Sequence, residues 1–180
     1  MEVSEEIMHL VAGCARGDAR SQRKLFKTFY GCAMGVCMRY ADNPDEASDM
    51  LSEGFMKVFA NIGKYQNSGS FEAWLKRVVA NAALDYRRKF MKKVEFVDID
   101  DVVEDVSDSS VNDALSAISS KEILKMIQSL PETSRVVFNM FVFEGYSHSE
   151  IAEALGITEG TSAWHVNNAR QRLKKAILNN

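Results

Sequence analysis

An acidic stretch near the middle of the chain constrains the fold more than any other feature. Residues 94–120 contain eight acidic residues and no basic ones, and they lack helical periodicity. The flanks are closer to neutral: residues 1–93 hold 15 basic and 11 acidic residues, and residues 121–180 hold 7 and 6. We therefore expect two domains, at 1–93 and 119–180, joined by an acidic linker at 94–118.

Both flanking blocks predict helices, so the expected fold class is all-α with two small helical domains. In the first block, apolar residues recur at helical intervals along 45–62 and again along 71–92, with Pro44 in a position that the first turn of a helix tolerates. Residues 64–69 between these segments are turn formers. In the second block, Pro131 follows one predicted helix and opens the next.

The composition argues against several classes of protein. Three cysteines form no CxxC pair and three histidines are scattered, so no metal site and no cofactor are predicted. No nucleophile–base pair or phosphate-binding glycine loop indicates an enzyme. No apolar run approaches the roughly 20 residues that span a bilayer, and the N-terminus lacks the basic start of a signal peptide. We expect a cytoplasmic protein without direct membrane insertion.

Residues 146–175 form a helix–turn–helix signature. Gly156 stands where the tight turn needs a positive φ, and Thr158 can cap the second helix, whose early polar residues are expected to face the major groove. The candidate contacts to duplex DNA are Thr158, Thr161, Ser162, Trp164, His165, Asn168, Arg170 and Arg172. Trp164 can instead pack against the domain, which is the commoner fate of a tryptophan on such a helix. The alternative is a helical hairpin that never touches nucleic acid.

An acid row, defined as Asp45, Asp49 and Glu53 with Glu46 beside them, lies along the helix predicted at 45–62. Like charges four residues apart each cost a few tenths of a kcal/mol in an isolated helix. Only Lys57 continues the row with an opposite charge. We interpret the row as a docking surface for a basic partner; the alternative is a solvated face helped by the helix dipole.

The helix predicted at 71–92 combines basic and aromatic residues next to a pliable loop. Arg77, Asn81 and Arg88 share one face, while Phe71 and Trp74 lie near its start. Such a combination suits single-stranded DNA, because cations follow the backbone and rings accept unstacked bases. Phe71 and Trp74 can equally be ordinary core residues.

Together these segments resemble the extracytoplasmic-function sigma factors of the sigma-70 superfamily. The sequence DEASDMLSEGFMKVF at 45–59 is similar to the family's polymerase-binding helix, and FEAWL at 71–75 with Asn81, Asp85 and Arg88 is similar to its minus-ten element. LPE at 130–132 through GT at 160–161 resembles the domain that reads the minus-thirty-five element. The resemblance implies promoter DNA, the clamp helices of the RNA polymerase core and an anti-sigma factor as partners.

The resemblance also implies roles for individual residues. Contacts to core polymerase would come from Asp45, Glu46, Asp49, Glu53, Phe55 and Lys57. Contacts to minus-ten DNA would come from Tyr65, Asn67, Ser68, Phe71, Trp74, Arg77, Asn81 and Arg88. Ala163 and Trp164 depart from the basic residue and serine that many members have, and Gly54 replaces a frequent threonine. A stand-alone helix–turn–helix regulator that binds operator DNA is the alternative function; it leaves the acid row without a role.

Overall fold

The computed structural model describes residues 2–66, 69–90 and 119–179, and every regular element in these ranges is helical, as the sequence predicts. The chain divides into two compact units, Met1–Phe90 and Met91–Asn180. The first unit contains α1 (Glu2–Ala15), α2 (Ala19–Tyr40), α3 (Pro44–Asn61) and α4 (Phe71–Phe90), with a 3-10 turn at Ile62–Lys64. The second contains α5 (Ser120–Gln128), α6 (Glu132–Val142), α7 (His148–Leu155) and α8 (Glu159–Leu178). The predicted linker at 94–118 lies outside the described residues.

In the first unit, α2, α3 and α4 pack against one another around an apolar core, and α1 packs on α2. Asn43 caps α3 by accepting a hydrogen bond from the backbone N–H of Glu46, and Pro44 begins the helix. Gly54 lets α3 approach α4 closely, because a Cβ at this position would lie 3.3 Å from both methyl groups of Val79. Gly54 therefore has a packing role.

The second unit has a small core on the inner face of α8. Ile127, Leu130, Phe138 and Ala169 form a buried cluster. Gly156 ends α7 with a φ of +69°, the left-handed conformation expected of the tight turn. Both helices that flank this turn begin with side-chain caps, Ser147 before α7 and Thr158 before α8.

No helix in the described ranges has the length and apolar content needed to cross a membrane. Over the same ranges, no group of three or more histidine, cysteine or acidic side chains is arranged to hold a metal ion.

Candidate nucleic-acid interface

A cleft of about 330 Å³ opens at the start of α4. The ring of Tyr65 stands 5.6 Å from that of Trp74, and the Tyr65 hydroxyl donates a hydrogen bond to the carbonyl oxygen of Gly69. Basic and polar residues complete the lining, which consists of Lys64, Tyr65, Gln66, Gly69, Ser70, Ala73, Trp74 and Arg77. The cleft thus combines two aromatic rings with two cations, which is the chemistry that binds an unstacked base and its phosphate.

The structure separates the residues predicted to contact minus-ten DNA into three groups and buried Phe71. Tyr65, Trp74 and Arg77 line the cleft. Asn81 and Arg88 are exposed further along the same face of α4, with Arg88 about 16 Å beyond Arg77 at 1.5 Å per residue. The predicted residues Asn67 and Ser68 lie outside the described residues.

Phe71 is a correction to the predicted DNA contacts. Its side chain is only 5% exposed and its ring lies 5.3 Å from that of Phe29 and 5.2 Å from that of Tyr65. It is buried because the first turn of α4 faces α2. Phe71 therefore packs beneath Tyr65 as part of the core and does not line the cleft.

The acid row is partly neutralised by α4, which the sequence analysis did not anticipate. Glu53 lies 3.4 Å from the Nζ atom of Lys89, and Lys57 lies 2.6 Å from Asp85, so both face α4. Asp45 and Asp49 remain exposed. Only part of the predicted docking charge therefore faces solvent.

Arg87 holds the start of the acid row from inside the unit. Its side chain is 5% exposed, and its Nη1 atom lies 2.9 Å from Asp42 and 3.0 Å from Glu46. Glu46 in turn accepts a hydrogen bond from the backbone N–H of Asp42. We call Arg87, Asp42 and Glu46 the carboxylate clasp. Sequence spacing within α3 could not reveal it, because the cation comes from 41 residues further along the chain.

Phe55 is a second correction, because it does not face a partner. It is 3% exposed, and its ring contacts Phe26 at 4.6 Å and Phe59 at 5.8 Å. It lies on the inner face of α3, where apolar neighbours from α2 bury it.

The negative charge of the acid row affects Tyr86, which lies on α4. Desolvation, followed by the carboxylates of Asp49, Glu46 and Glu53, raises the pKa of Tyr86 above its ordinary value. The Lys89 ammonium stands 5.8 Å from the Tyr86 ring and acts in the opposite direction. The acid row therefore makes the Tyr86 phenol, which is protonated at neutral pH in any case, still harder to ionise.

In the second unit, three of the residues predicted to face DNA are buried. Ser162 is hydrogen-bonded to Nδ1 of His148 at 3.0 Å, and His165 is hydrogen-bonded through Nδ1 to Ser134 at 2.9 Å. Asn168 accepts a hydrogen bond from Nε of Arg172 at 3.0 Å. The prediction that these three residues face outward was wrong, because polar side chains are readily buried when another side chain supplies their hydrogen bonds.

The burial of His165 has an electrostatic consequence. Removal from water lowers the pKa of its imidazole below the ordinary value, which favours the neutral ring. The ring of Trp164 lies 4.9 Å from that of His165 in an edge-on arrangement, and the indole is half-buried. Trp164 thus packs on the unit with one side and faces solvent with the other.

Two of the predicted residues, Arg170 and Arg172, are exposed on α8, but the exposed positions nearer the helix start differ from the prediction. Gly160, Ala163, Asn167 and Arg170 are exposed, while Thr161 is half-buried. Thr158 uses its hydroxyl to accept a hydrogen bond from the backbone N–H of Thr161. Sequence reasoning missed Asn167. The apolar positions 166 and 169 were a usable signal, since positions four residues earlier must lie on the same inner face.

Two protein-family models match the chain. The family described as "Sigma-70 region 2" matches residues 25–92, and the one described as "Sigma-70, region 4" matches residues 120–173. The RNA polymerase sigma-H factor of Pseudomonas aeruginosa is 27% identical over an alignment of 188 positions, gaps included, that covers 98% of this chain and 96% of the relative. The ECF RNA polymerase sigma factor SigM of Bacillus subtilis is 30% identical over 129 residues, which cover 71% of this chain and 77% of the relative.

A solved structure has a similar fold. It is the co-crystal structure of the sigma factor RpoE in complex with the anti-sigma factor NepR from Bartonella quintana, with a TM-score of 0.50 and 18% identity. The match covers 86% of this chain and 94% of the solved one.

Proposed function

The chain belongs to the extracytoplasmic-function family of sigma-70 factors, and we propose that it acts as the promoter-recognising subunit of RNA polymerase. The family predicted from the sequence is thereby confirmed. In this proposal, the first unit binds the clamp helices of the core enzyme and opens the minus-ten region, while the second reads the minus-thirty-five element as duplex DNA. We assign no catalytic activity to the chain and expect it to act in the cytoplasm, where polymerase is.

The aromatic and basic cleft at the start of α4 is the observation that supports the proposal most directly. An unstacked base can stack against the ring of Tyr65 or Trp74 that lines the cleft, while Lys64 and Arg77 approach its phosphates. Extruding a base costs a few kcal/mol, and base–aromatic stacking returns about 1–3 kcal/mol. Asn81 and Arg88 continue the same face and would follow the strand beyond the cleft.

The outward side of α3 is the proposed contact with polymerase. Asp45 and Asp49 are exposed and carry the charge that a basic partner would meet. Met56, two turns after Asp49, is 64% exposed and adds an apolar contact. Glu46 and Glu53, which pair with α4, would set the position of the helix and contribute less to the contact itself.

Polymerase would couple the two DNA-reading units. With 15 basic against 11 acidic residues in 1–93 and 7 against 6 in 121–180, each unit alone gains little from counterion release and should bind DNA weakly. Fixing both units on one enzyme raises the effective concentration of the second contact once the first has formed. We also propose an anti-sigma protein as a partner, which the family suggests.

Run-off transcription on a library of random promoters, with and without bacterial core polymerase, tests this function. We expect promoter-specific transcripts that require both the chain and the core enzyme. Asp49→Lys should weaken co-purification with core polymerase, whereas Glu5→Lys, a matched charge reversal on exposed α1, should not. A tight, specific shift of duplex DNA without polymerase, together with no transcripts, would favour the stand-alone regulator instead.

A further inference from the structure

Two neighbouring asparagines in α8 have different environments. Asn168 is 6% exposed, and its Oδ1 atom is occupied by the hydrogen bond from Arg172. Asn167 is exposed, and its side-chain amide forms no hydrogen bond with any residue that the structure describes. The amide at position 167 is therefore available to a ligand, whereas the one at 168 belongs to the fold.

Asn167 lies at the centre of the outer face of α8. At about 100° per residue, Gly160 and Ala163 fall within about 40° of it around the helix axis. The buried residues Ser162 and His165 lie about 140–160° away, on the side that packs against the rest of the unit. A ligand that approached α8 from the side opposite its buried face would meet Asn167 first among the polar side chains in the first half of the helix.

The residues that precede Asn167 on this face leave room for a close approach. Gly160 and Ala163 have no side-chain atoms beyond Cβ. The folded unit does not itself require Gly160: an added Cβ would meet only Oγ1 of Thr158, at 3.7 Å, which is ordinary van der Waals contact. Because the first turns of the helix are this slender, the short side chain of Asn167 can reach the floor of a groove.

Longer cations border the same face. Arg170 lies about 60° from Asn167 around the helix, and its guanidinium stands 5.7 Å from the centre of the Phe141 ring. Phe141 is itself stacked on His148 at 4.5 Å. This contact holds Arg170 at the rim of the face, a position suited to a phosphate, and leaves the centre to Asn167.

We infer that Asn167 reads an adenine in the major groove of the minus-thirty-five element. The carboxamide of asparagine pairs with adenine through N6 and N7 at once, and such a bidentate pair discriminates against other bases about 5- to 150-fold. The inference rests on the proposed function and names the residue that gives the second unit its specificity.

The test uses the full-length chain with core polymerase on promoters randomised only in the minus-thirty-five element. We expect the wild type to prefer adenine at one position, Asn167→Ala to lose that preference by about 5- to 150-fold, and Asn167→Arg to shift it toward guanine. Asn168→Ala is the matched control: it should lower thermal stability and leave the base preference unchanged.

The outcomes separate the inference from the function on which it depends. If Asn167→Ala transcribes with an unchanged preference at every position, the inference is wrong while the sigma function stands. A change in preference that follows Asn168→Ala instead would also overturn it. If the wild type gives no promoter-specific transcripts with core polymerase, both the function and the inference fail.

Discussion

Replacing Arg87 by methionine should destabilise the first unit far more than replacing its neighbour Arg88. Arg87 is 5% exposed in its side chain and bridges two carboxylates at 2.9 and 3.0 Å. Arg88 is 42% exposed and approaches Asp85 only to 3.8 Å. Methionine keeps much of the apolar stem at either position, so the comparison isolates the charge and its hydrogen bonds.

The expected magnitude follows from the exposure of the partners. Removing one member of a fully buried ion pair costs about 3–5 kcal/mol, because the remaining charge is left without compensation. In the carboxylate clasp, Asp42 is 56% exposed and Glu46 is 17% exposed, so water can recover part of the loss. We expect about 2–3 kcal/mol for Arg87→Met and less than about 0.5 kcal/mol for Arg88→Met.

Urea unfolding followed by tryptophan fluorescence measures the difference. The chain has two tryptophans, one in each unit, so a Trp164→Phe background leaves Trp74 as the reporter of the first unit. A double-mutant cycle with Glu46→Gln should give a coupling energy above about 1 kcal/mol, against about 0.5 kcal/mol or less for Lys89→Met with Glu53→Gln. Equal losses for Arg87→Met and Arg88→Met would refute the clasp as a stabilising element.

Two further predictions concern packing and pH. Gly54→Ala should leave the free energy of unfolding unchanged or lower it by up to about 2 kcal/mol, because the new methyl group presses on buried Val79. Gly31→Ala, in open space on α2, should raise the free energy of unfolding by up to about 1 kcal/mol. Urea midpoints would measure both, and an equal gain at both sites would contradict the close approach of α3 and α4. Because burial holds the pKa of His165 below 6.5, the unfolded chain takes up a proton before the folded one does, so the stability of the second unit should be complete above about pH 6.5 and fall as the pH drops below it. His165→Gln should flatten this slope in a Trp74→Phe background, where Trp164 fluorescence reports on the second unit, and an unchanged slope would exclude His165 as its source.

Local chemistry made much of the fold predictable from sequence. The start of α3 at Pro44 and the turn at Gly156 depend on residues within a few positions of each other, and both lie where the pattern indicated. Thr158 also caps α8 as expected. Each of these features is decided by the conformational limits of one residue or by a hydrogen bond to its near neighbours.

The rotation of α8 about its axis was not predictable by polarity alone. Ser162 and His165 look like surface residues in the sequence, and they are buried because Ser134 and His148 supply partners from α6 and α7. Such partners lie 14 to 31 residues away, beyond the reach of a spacing rule. The apolar residues of the same helix fix its orientation more reliably, because a methyl group gains nothing from an exposed position.

The acid row shows how one sequence feature can serve two purposes. Four acidic side chains at helical spacing repel one another, and α4 offsets that repulsion at Glu46 through Arg87 and at Glu53 through Lys89. Asp45 and Asp49, one turn apart and both exposed, retain a repulsion of a few tenths of a kcal/mol. A basic partner would relieve this cost on binding, so the part of the row that no described residue compensates is the part that we assign to polymerase.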